Sequence, residues 1–166
     1  MSTVAFQPAS SQYARRNFDK TLRHPVRIQY FEKMLSATDR EKIKLAHPDG
    51  TAHIWGVKPE RVPQWARLFP EDCLVLFRQG GRVVLRGVIT YKMFNPALAK
   101  YLWGEDENGE LWSLVYLLNH VVPVDIRASR VNDAAGFAPG WDWRGFITIE
   151  PPRAHAVIDL VVEHER

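Results

Sequence analysis

The sequence predicts an α+β domain in which short helices flank a small mixed or closed sheet. Apolar residues have helical periodicity up to about residue 50, and from about residue 51 they alternate as they do in strands. In addition, the strand-like segments 73–78 and 82–94 are separated by the turn Gln79-Gly80-Gly81, which is typical of a β-hairpin. Short strands, tight turns and interspersed helices are typical of small mixed or closed sheets.

The first fifty residues are predicted to be helical. Segment 10–24 consists of good helix formers and ends before a proline. Thr38 followed by Glu41 has the spacing of a capping box, which predicts the start of a second helix. We therefore interpret residues 1–50 as a basic helical N-terminal extension and residues 51–166 as the domain that contains the sheet.

Strands and short helices alternate in the remainder of the chain. The predicted strands are 52–57, 73–78, 82–94, 111–118, 121–126 and 146–150, and the predicted helices are 59–69, 96–104 and 151–164. Asn95 before Pro96 is a typical helix start, because asparagine caps the helix and proline suits its first position. Pro123 indicates that its strand lies at an edge of the sheet. Segment 151–164 begins with two prolines, which favour a helix, although its β-branched residues also fit a strand.

Positive charge is concentrated in the N-terminal part of the chain. Residues 1–50 contain nine lysines and arginines against five acidic residues, a balance of +4, whereas the rest of the chain carries −1. Such an asymmetry is typical of an arm that contacts nucleic acid, and it makes Arg15 and Arg16 candidate phosphate ligands. A solvated helix face is the simpler explanation, and the more common one for a run of charges.

Several features favour a cytoplasmic protein without a membrane anchor. No apolar run approaches the roughly 20 residues of a membrane span, and the first residues lack the pattern of a signal peptide. Cys73 is the only cysteine, so no intrachain disulfide can form.

The sequence contains no recognisable catalytic or cofactor-binding motif. Gly80-Gly81 is not followed by the Lys-Ser/Thr of a phosphate-binding loop, and no Gly-x-Ser-x-Gly motif occurs. The six histidines are scattered, and without a second cysteine a zinc site is not expected. We therefore expect no metal, no cofactor and no enzymatic activity.

Six tryptophans in 166 residues are about three times the usual share. Trp141 and Trp143 lie in GWDWRGF (140–146), where glycines on both sides indicate a loop. On an extended chain this spacing points both rings to the same side. The pair is therefore predicted to form the wall of a slot for a flat ligand, or alternatively a plug that closes one end of the sheet.

Several stretches together resemble a known family. HIWGVKPE (53–60), QWARLFPEDCLVLFR (64–78), ALAKYLWGEDENGELWSLVYLL (97–118) and VNDAAGF (131–137) are similar to EVE- and YTH-like domains of the PUA superfamily, in the versions fused to modification-dependent restriction nucleases. The likeness covers about residues 25–150. Pro70-Glu71 departs from the family pattern, and no nuclease or ATPase part is present.

The resemblance implies a PUA-like, twisted, barrel-like mixed sheet that binds a modified, in particular a methylated, DNA base flipped into an aromatic cage. It makes Trp55 a cage residue together with Trp141 or Trp143. The other candidates for the base are Tyr91, Phe94 and Asp142, and those for phosphates are Lys58 and Arg144 beside Arg15 and Arg16.

The resemblance leaves three functions open. A non-catalytic reader of modified DNA, working with a separate nuclease or ATPase subunit, is the first. An RNA-binding PUA-like module and a small hydrolase of a related branch are the alternatives.

Overall fold

The computed structural model describes residues 1–165, which form a seven-stranded sheet and six α-helices. The strands are β1 (Thr3–Pro8), β2 (Val26–Arg27), β3 (Thr51–Val57), β4 (Cys73–Gln79), β5 (Arg82–Phe94), β6 (Leu114–Arg127) and β7 (Ile147–Ile149). The helices are α1 (Gln12–Thr21), α2 (Ala37–Ala46), α3 (Val62–Trp65), α4 (Pro96–Trp103), α5 (Ala128–Ala134) and α6 (Arg153–His164).

The sheet has the strand order β2-β3-β6-β5-β4-β1-β7. Strand β1 is parallel to β4, and all other described pairs are antiparallel. The three strands predicted at 52–57, 73–78 and 82–94 therefore belong to one mixed sheet. This confirms the α+β class and the β4–β5 hairpin.

The first strand corrects the prediction that residues 1–50 are purely helical. Thr3–Pro8 lie between β4 and β7, and Thr3 is in register with Cys73. Helices α1 and α2 do form within the segment, and they contribute Phe18 and Ile43 to the core. The strand escaped prediction because its partners are distant in sequence, whereas the helices are defined by local capping and periodicity.

Strand β6 joins two segments that were predicted as separate strands. Its first five residues pair with both β3 and β5, whereas from Asn119 onward only the pairing with β5 is described. His120 has a φ of 48°, and the register with β5 shifts nearby, which indicates a bulge. Pro123 lies in the half with one partner strand, where a missing N–H is tolerated.

The helix termini follow local capping chemistry. The Ser36 side chain accepts a hydrogen bond from the Asp39 N–H, so α2 starts at Ala37 and the predicted cap at Thr38 is wrong. Asn95 caps α4 as predicted, accepting from the Leu98 N–H. Residues 153–164 are helical, which settles the alternative between helix and strand in favour of the helix.

Alternation along β1 separates two apolar cores. Ala5 belongs to a core with α1, α2 and α4, whereas Val4 and Phe6 belong to a second core with α5 and α6. Neighbouring residues of a strand point to opposite faces, so β1 has one core on each side. This arrangement decides which aromatic residues can meet in a common site.

Two histidines that are shielded from solvent should make the protein less stable in mild acid. His47 is buried, with Nε2 2.7 Å from the Thr90 hydroxyl, and burial lowers the pKa of both His47 and His53. Below pH of about 6.5 the unfolded chain therefore binds more protons than the folded chain, and stability falls as the pH falls. The thermal midpoint should be lower at about pH 5.5 than at about pH 7.5.

The contribution of His47 is measured by comparing the loss of stability between about pH 7.5 and about pH 5.5 in His47→Gln and in the wild-type protein. The loss should be smaller in the variant, because one of the titrating groups is gone. His24→Gln, at an exposed position, is the control and should keep the full loss. An equal loss in His47→Gln and the wild-type protein would contradict the assignment.

Candidate nucleic-acid interface

A cavity of about 220 Å³ lies where the carboxyl ends of β1 and β3 meet the loop before β7. We call it the aromatic cavity, because the side chains of Trp55, Trp112 and Phe146 line it. The remaining lining residues are Gln7, Pro8, Gly56, Val57, Lys58, Glu60, Arg61 and Gly145. It thus combines three rings with a small number of polar and charged groups.

Trp55 is a buried aromatic residue of this cavity. Its ring centroid lies 4.8 Å from that of Trp112 and 5.9 Å from that of Phe77, and only 1% of the residue is exposed. Its buried indole N–H has no acceptor among residues 1–165. A buried unpaired donor costs about 1–3 kcal/mol.

Gly56 allows the tryptophans to pack closely behind the cavity. A Cβ at this position would lie 2.6 Å from the carbonyl oxygen of Trp112 and 2.8 Å from the ring of Trp103. The ring centroids of Trp103 and Trp112 lie 5.6 Å apart, so these two residues pack on each other. The strand therefore needs glycine beside Trp55 for steric reasons.

Arg61 is a cation of the aromatic cavity that has no ion pair among the described residues. Its guanidinium lies against Gly145, where a Cβ would clash with a guanidinium nitrogen. Gly145 has a φ of 83°, a backbone conformation that glycine adopts easily. The loop glycine thus makes room for the arginine at the cavity.

Lys58, predicted as a phosphate ligand, is engaged with carboxylates instead. Its Nζ lies 3.2 Å from Asp106 and 3.5 Å from Glu110. Partial burial lowers the pKa of Lys58, but the two carboxylates outweigh this and the net pKa is raised. In this arrangement Lys58 links the end of β3 to Asp106 and Glu110, and these two carboxylates already compensate its positive charge.

The two tryptophans of the loop 140–146 do not line the aromatic cavity, although Gly145 and Phe146 of the same loop do. Trp143 is only 2% exposed, stacks on Phe6 with ring centroids 4.6 Å apart, and donates its indole N–H to Asn132 Oδ1 at 2.6 Å. Trp141 is half-buried against Phe137, with ring centroids 4.8 Å apart. Both rings belong to the second core, so the pair closes that core as a plug.

The structure therefore does not bring Trp55 together with Trp141 or Trp143. Phe6, on which Trp143 stacks, points to the side of β1 opposite the face that carries Ala5 and the core of Trp55. Trp143 also has a φ of 54°, so the loop is not the extended chain that the spacing argument assumed. The predicted cage of these residues is corrected to two separate aromatic clusters.

The other predicted base ligands also lie outside the aromatic cavity. The Tyr91 hydroxyl donates to Asp39, and burial, together with this carboxylate, raises the pKa of Tyr91 to about 12. Phe94 is 63% exposed. Asp142 is exposed and lies 3.7 Å from Arg144, which is exposed as well.

Arg15 and Arg16 are both exposed on α1. Arg15 Nε donates to the Ser10 carbonyl at 2.9 Å, and the Arg16 guanidinium lies 5.6 Å from the centroid of the Tyr13 ring. Both arginines can reach solvent, so the structure leaves their predicted role as phosphate ligands open.

Sequence reasoning found Trp55 but missed three other lining residues: Trp112, Phe146 and Arg61. Phe146 lies in the same loop as the tryptophan pair, and its ring stacks on Tyr116 with centroids 6.2 Å apart. The Gly-Phe at the end of GWDWRGF was the available signal, because a glycine lets the next residue turn back towards the sheet.

Within residues 1–165, no group of three or more histidine, cysteine or acidic side chains is arranged to hold a metal ion. The described helices include none that is both long and apolar enough to cross a bilayer.

The chain has the fold of a domain that has been solved in complex with DNA. It is similar to the N-terminal domain of Thermococcus gammatolerans McrB bound to m5C DNA, with a TM-score of 0.71 and 16% identity over 97% of this chain and 98% of that chain. No protein-family model matches the sequence, and no curated protein does. At this identity the likeness establishes a shared fold.

Proposed function

We propose that this protein binds DNA and reads a modified base without catalysing a reaction. The observation that supports this most is the match of almost the whole chain to a domain bound to m5C DNA. The aromatic cavity is the second support, because it offers rings, an unpaired donor and an arginine in one place. The proposed ligand is a base that carries a methyl group, with 5-methylcytosine as the first candidate.

The energetics of base reading suit the aromatic cavity. Flipping a base out of a duplex costs a few kcal/mol, and stacking on aromatic rings returns about 1–3 kcal/mol per base. A methyl group adds apolar area, whose burial contributes about 25 cal/mol per Å². Pockets for drug-sized ligands measure about 300–1,000 Å³, so a cavity of about 220 Å³ suits a smaller group such as a single base.

Two polar groups would fix the orientation of the base. The Trp55 N–H is free to donate to a base oxygen or ring nitrogen, and Arg61 is free to bind the base edge or an adjacent phosphate. Gln7, by contrast, accepts from the Tyr116 hydroxyl at 2.9 Å and donates to the Pro8 carbonyl at 3.0 Å. Gln7 therefore positions the wall of the cavity, and the proposed readers are Trp55 and Arg61.

The family resemblance refines this proposal. If the sheet curves into a PUA-like barrel, the flipped base would lie at one end of that barrel, as in EVE- and YTH-like readers. A separate nuclease or ATPase component in the cytoplasm would then act together with this protein on the bound DNA.

The stacking role of Phe146 is tested with Phe146→Leu, which removes the ring and keeps most of the apolar volume. Loss of a stacking partner should weaken binding to a duplex with one 5-methylcytosine by about 5- to 150-fold, equivalent to about 1–3 kcal/mol. Affinity is measured by fluorescence anisotropy, with unmodified duplex and RNA of the same sequence as competitors. Phe69→Leu is the matched control at an exposed phenylalanine outside the aromatic cavity.

The donor role of Trp55 is tested in the same assay with Trp55→Phe, and Trp65→Phe is the control that loses an indole N–H elsewhere. Removal of one hydrogen bond should weaken binding by about 3- to 10-fold. Equal affinity of the wild-type protein for modified and unmodified duplex would refute the reading of a modified base. Stronger competition by RNA than by either duplex would instead identify an RNA-binding module.

A further inference from the structure

A second cavity, of about 510 Å³, lies at the turn between β4 and β5 and at the junction of β6 with α5. We call it the arginine cavity, because Arg78, Arg82 and Arg127 line it. The other lining residues are Gly81, Ala128, Ser129, Pro139 and Gly140, none of which carries a charge. The lining of this cavity is therefore basic, without an acidic side chain.

Arg82 and Arg127 face each other across two neighbouring strands. They are direct partners in the β5–β6 register, and like charges in directly opposite positions destabilise a sheet. Asp125 lies 3.3 Å from Arg82, but both side chains are largely exposed and such a pair contributes little. Arg127 has no ion pair among residues 1–165. An anion between the two arginines would relieve this repulsion.

Arg78 is held in place by main-chain acceptors. It donates to the Gly80 carbonyl at 2.7 Å and to the Trp141 carbonyl at 2.9 Å, and it is half-buried. Arg15 comes close to the same turn, since a Cβ at Gly80 would lie 4.0 Å from its guanidinium. A positioned arginine that is only partly hydrated binds phosphate oxygens better than a freely moving side chain.

One residue of each cavity belongs to the same register pair of neighbouring strands. Pro8 lines the aromatic cavity, and in the β1–β4 register it is the partner of Arg78, which lines the arginine cavity. Adjacent strands lie about 4.8 Å apart. The two cavities therefore adjoin where β1 and β4 end.

We propose that the arginine cavity binds a backbone phosphate of the same nucleic acid whose modified base enters the aromatic cavity. This rests on the proposed function, and it assigns the two cavities different tasks. The aromatic cavity distinguishes the modified base, whereas Arg82 and Arg127 share a phosphate and Arg78 fixes the geometry of the site. Phosphate contacts position a protein on nucleic acid and carry no information about the base.

The experiment compares Arg82→Gln/Arg127→Gln with Arg27→Gln/Lys42→Gln, which removes the same charge at exposed positions on β2 and α2. Binding to the 5-methylcytosine duplex and to the unmodified duplex is measured between about 50 and 200 mM salt. Loss of one phosphate contact should reduce the slope of log K against log salt by about 0.9. The preference for the modified duplex should stay unchanged, and the control variant should keep the wild-type slope.

The outcomes separate this proposal from the proposed function. If both double variants keep the wild-type slope, or lose the same amount of it, the arginine cavity is not a phosphate site. If the slope falls only in Arg82→Gln/Arg127→Gln but the wild-type protein has no preference for the modified duplex, the phosphate site stands and base reading fails. A wild-type protein that binds neither duplex would overturn both proposals.

Discussion

Replacing Trp143 with alanine should lower the free energy of unfolding by about 3–5 kcal/mol, the range for a large aromatic side chain removed from a core. Trp143 is almost fully buried and stacks on Phe6. It also donates to Asn132 Oδ1, while Asn132 Nδ2 donates to the carbonyls of Pro139 and Trp141 at 3.0 and 2.7 Å. The substitution would therefore empty part of the second core and leave a buried oxygen unpaired.

This effect is measured by urea denaturation, with Trp141→Ala as the comparison. Trp141 is only half-buried, so its truncation should cost clearly less free energy. Trp143→Phe should recover part of the stability, and its affinity for the modified duplex should equal that of the wild-type protein. A stable Trp143→Ala protein with strongly reduced affinity would restore Trp143 as a wall of the base site.

Replacing Gly56 with alanine should destabilise the protein by about 1–3 kcal/mol and weaken binding of the modified base. The new methyl group would approach a main-chain oxygen of Trp112 to 2.6 Å, and a main-chain atom cannot rotate out of the way. The strand or the Trp112 segment must shift instead. Both Gly56 and Trp112 line the aromatic cavity, so stability and affinity should fall together.

Gly81→Ala is the matched control for this substitution, because a Cβ at Gly81 would have no atom within 4 Å. Its urea midpoint should stay close to that of the wild-type protein. A Gly56→Ala protein with wild-type stability and affinity would mean that the tryptophan cluster adjusts without cost, contrary to its close packing.

Local signals in the sequence predicted most elements of the sheet. The β4–β5 hairpin was recognisable because its turn and its strands are neighbours in the chain, and Asn95 identified the start of α4 by its capping chemistry. Strand β1 was not recognisable, because only its pairing with the distant β4 and β7 defines it as a strand. The six residues of β1 are too few for their alternation to identify a strand in the sequence.

The candidate site was predictable only in part for a related reason. Trp55 was found because the stretch 53–60, on a clearly predicted strand, resembles the family pattern. The tryptophan loop was misjudged, because the positive φ of Trp143 and the position of β1 between the two cores cannot be read from residue spacing. Arg61 and Phe146 enter the same cavity from segments that are far apart in the chain.

The position of β1 also has a consequence for folding during synthesis. Strands β1 and β4 are neighbours in the sheet, with Thr3 opposite Cys73, although they are about 70 residues apart in the sequence. Val4 pairs with Ile149, which lies still later in the chain. Strand β1 is synthesised before β4, so its apolar residues remain without their partner strand until β4 has been made. Contacts between such distant segments slow folding. The nascent chain should consequently acquire protease resistance only once β4 and the segment up to β7 have emerged.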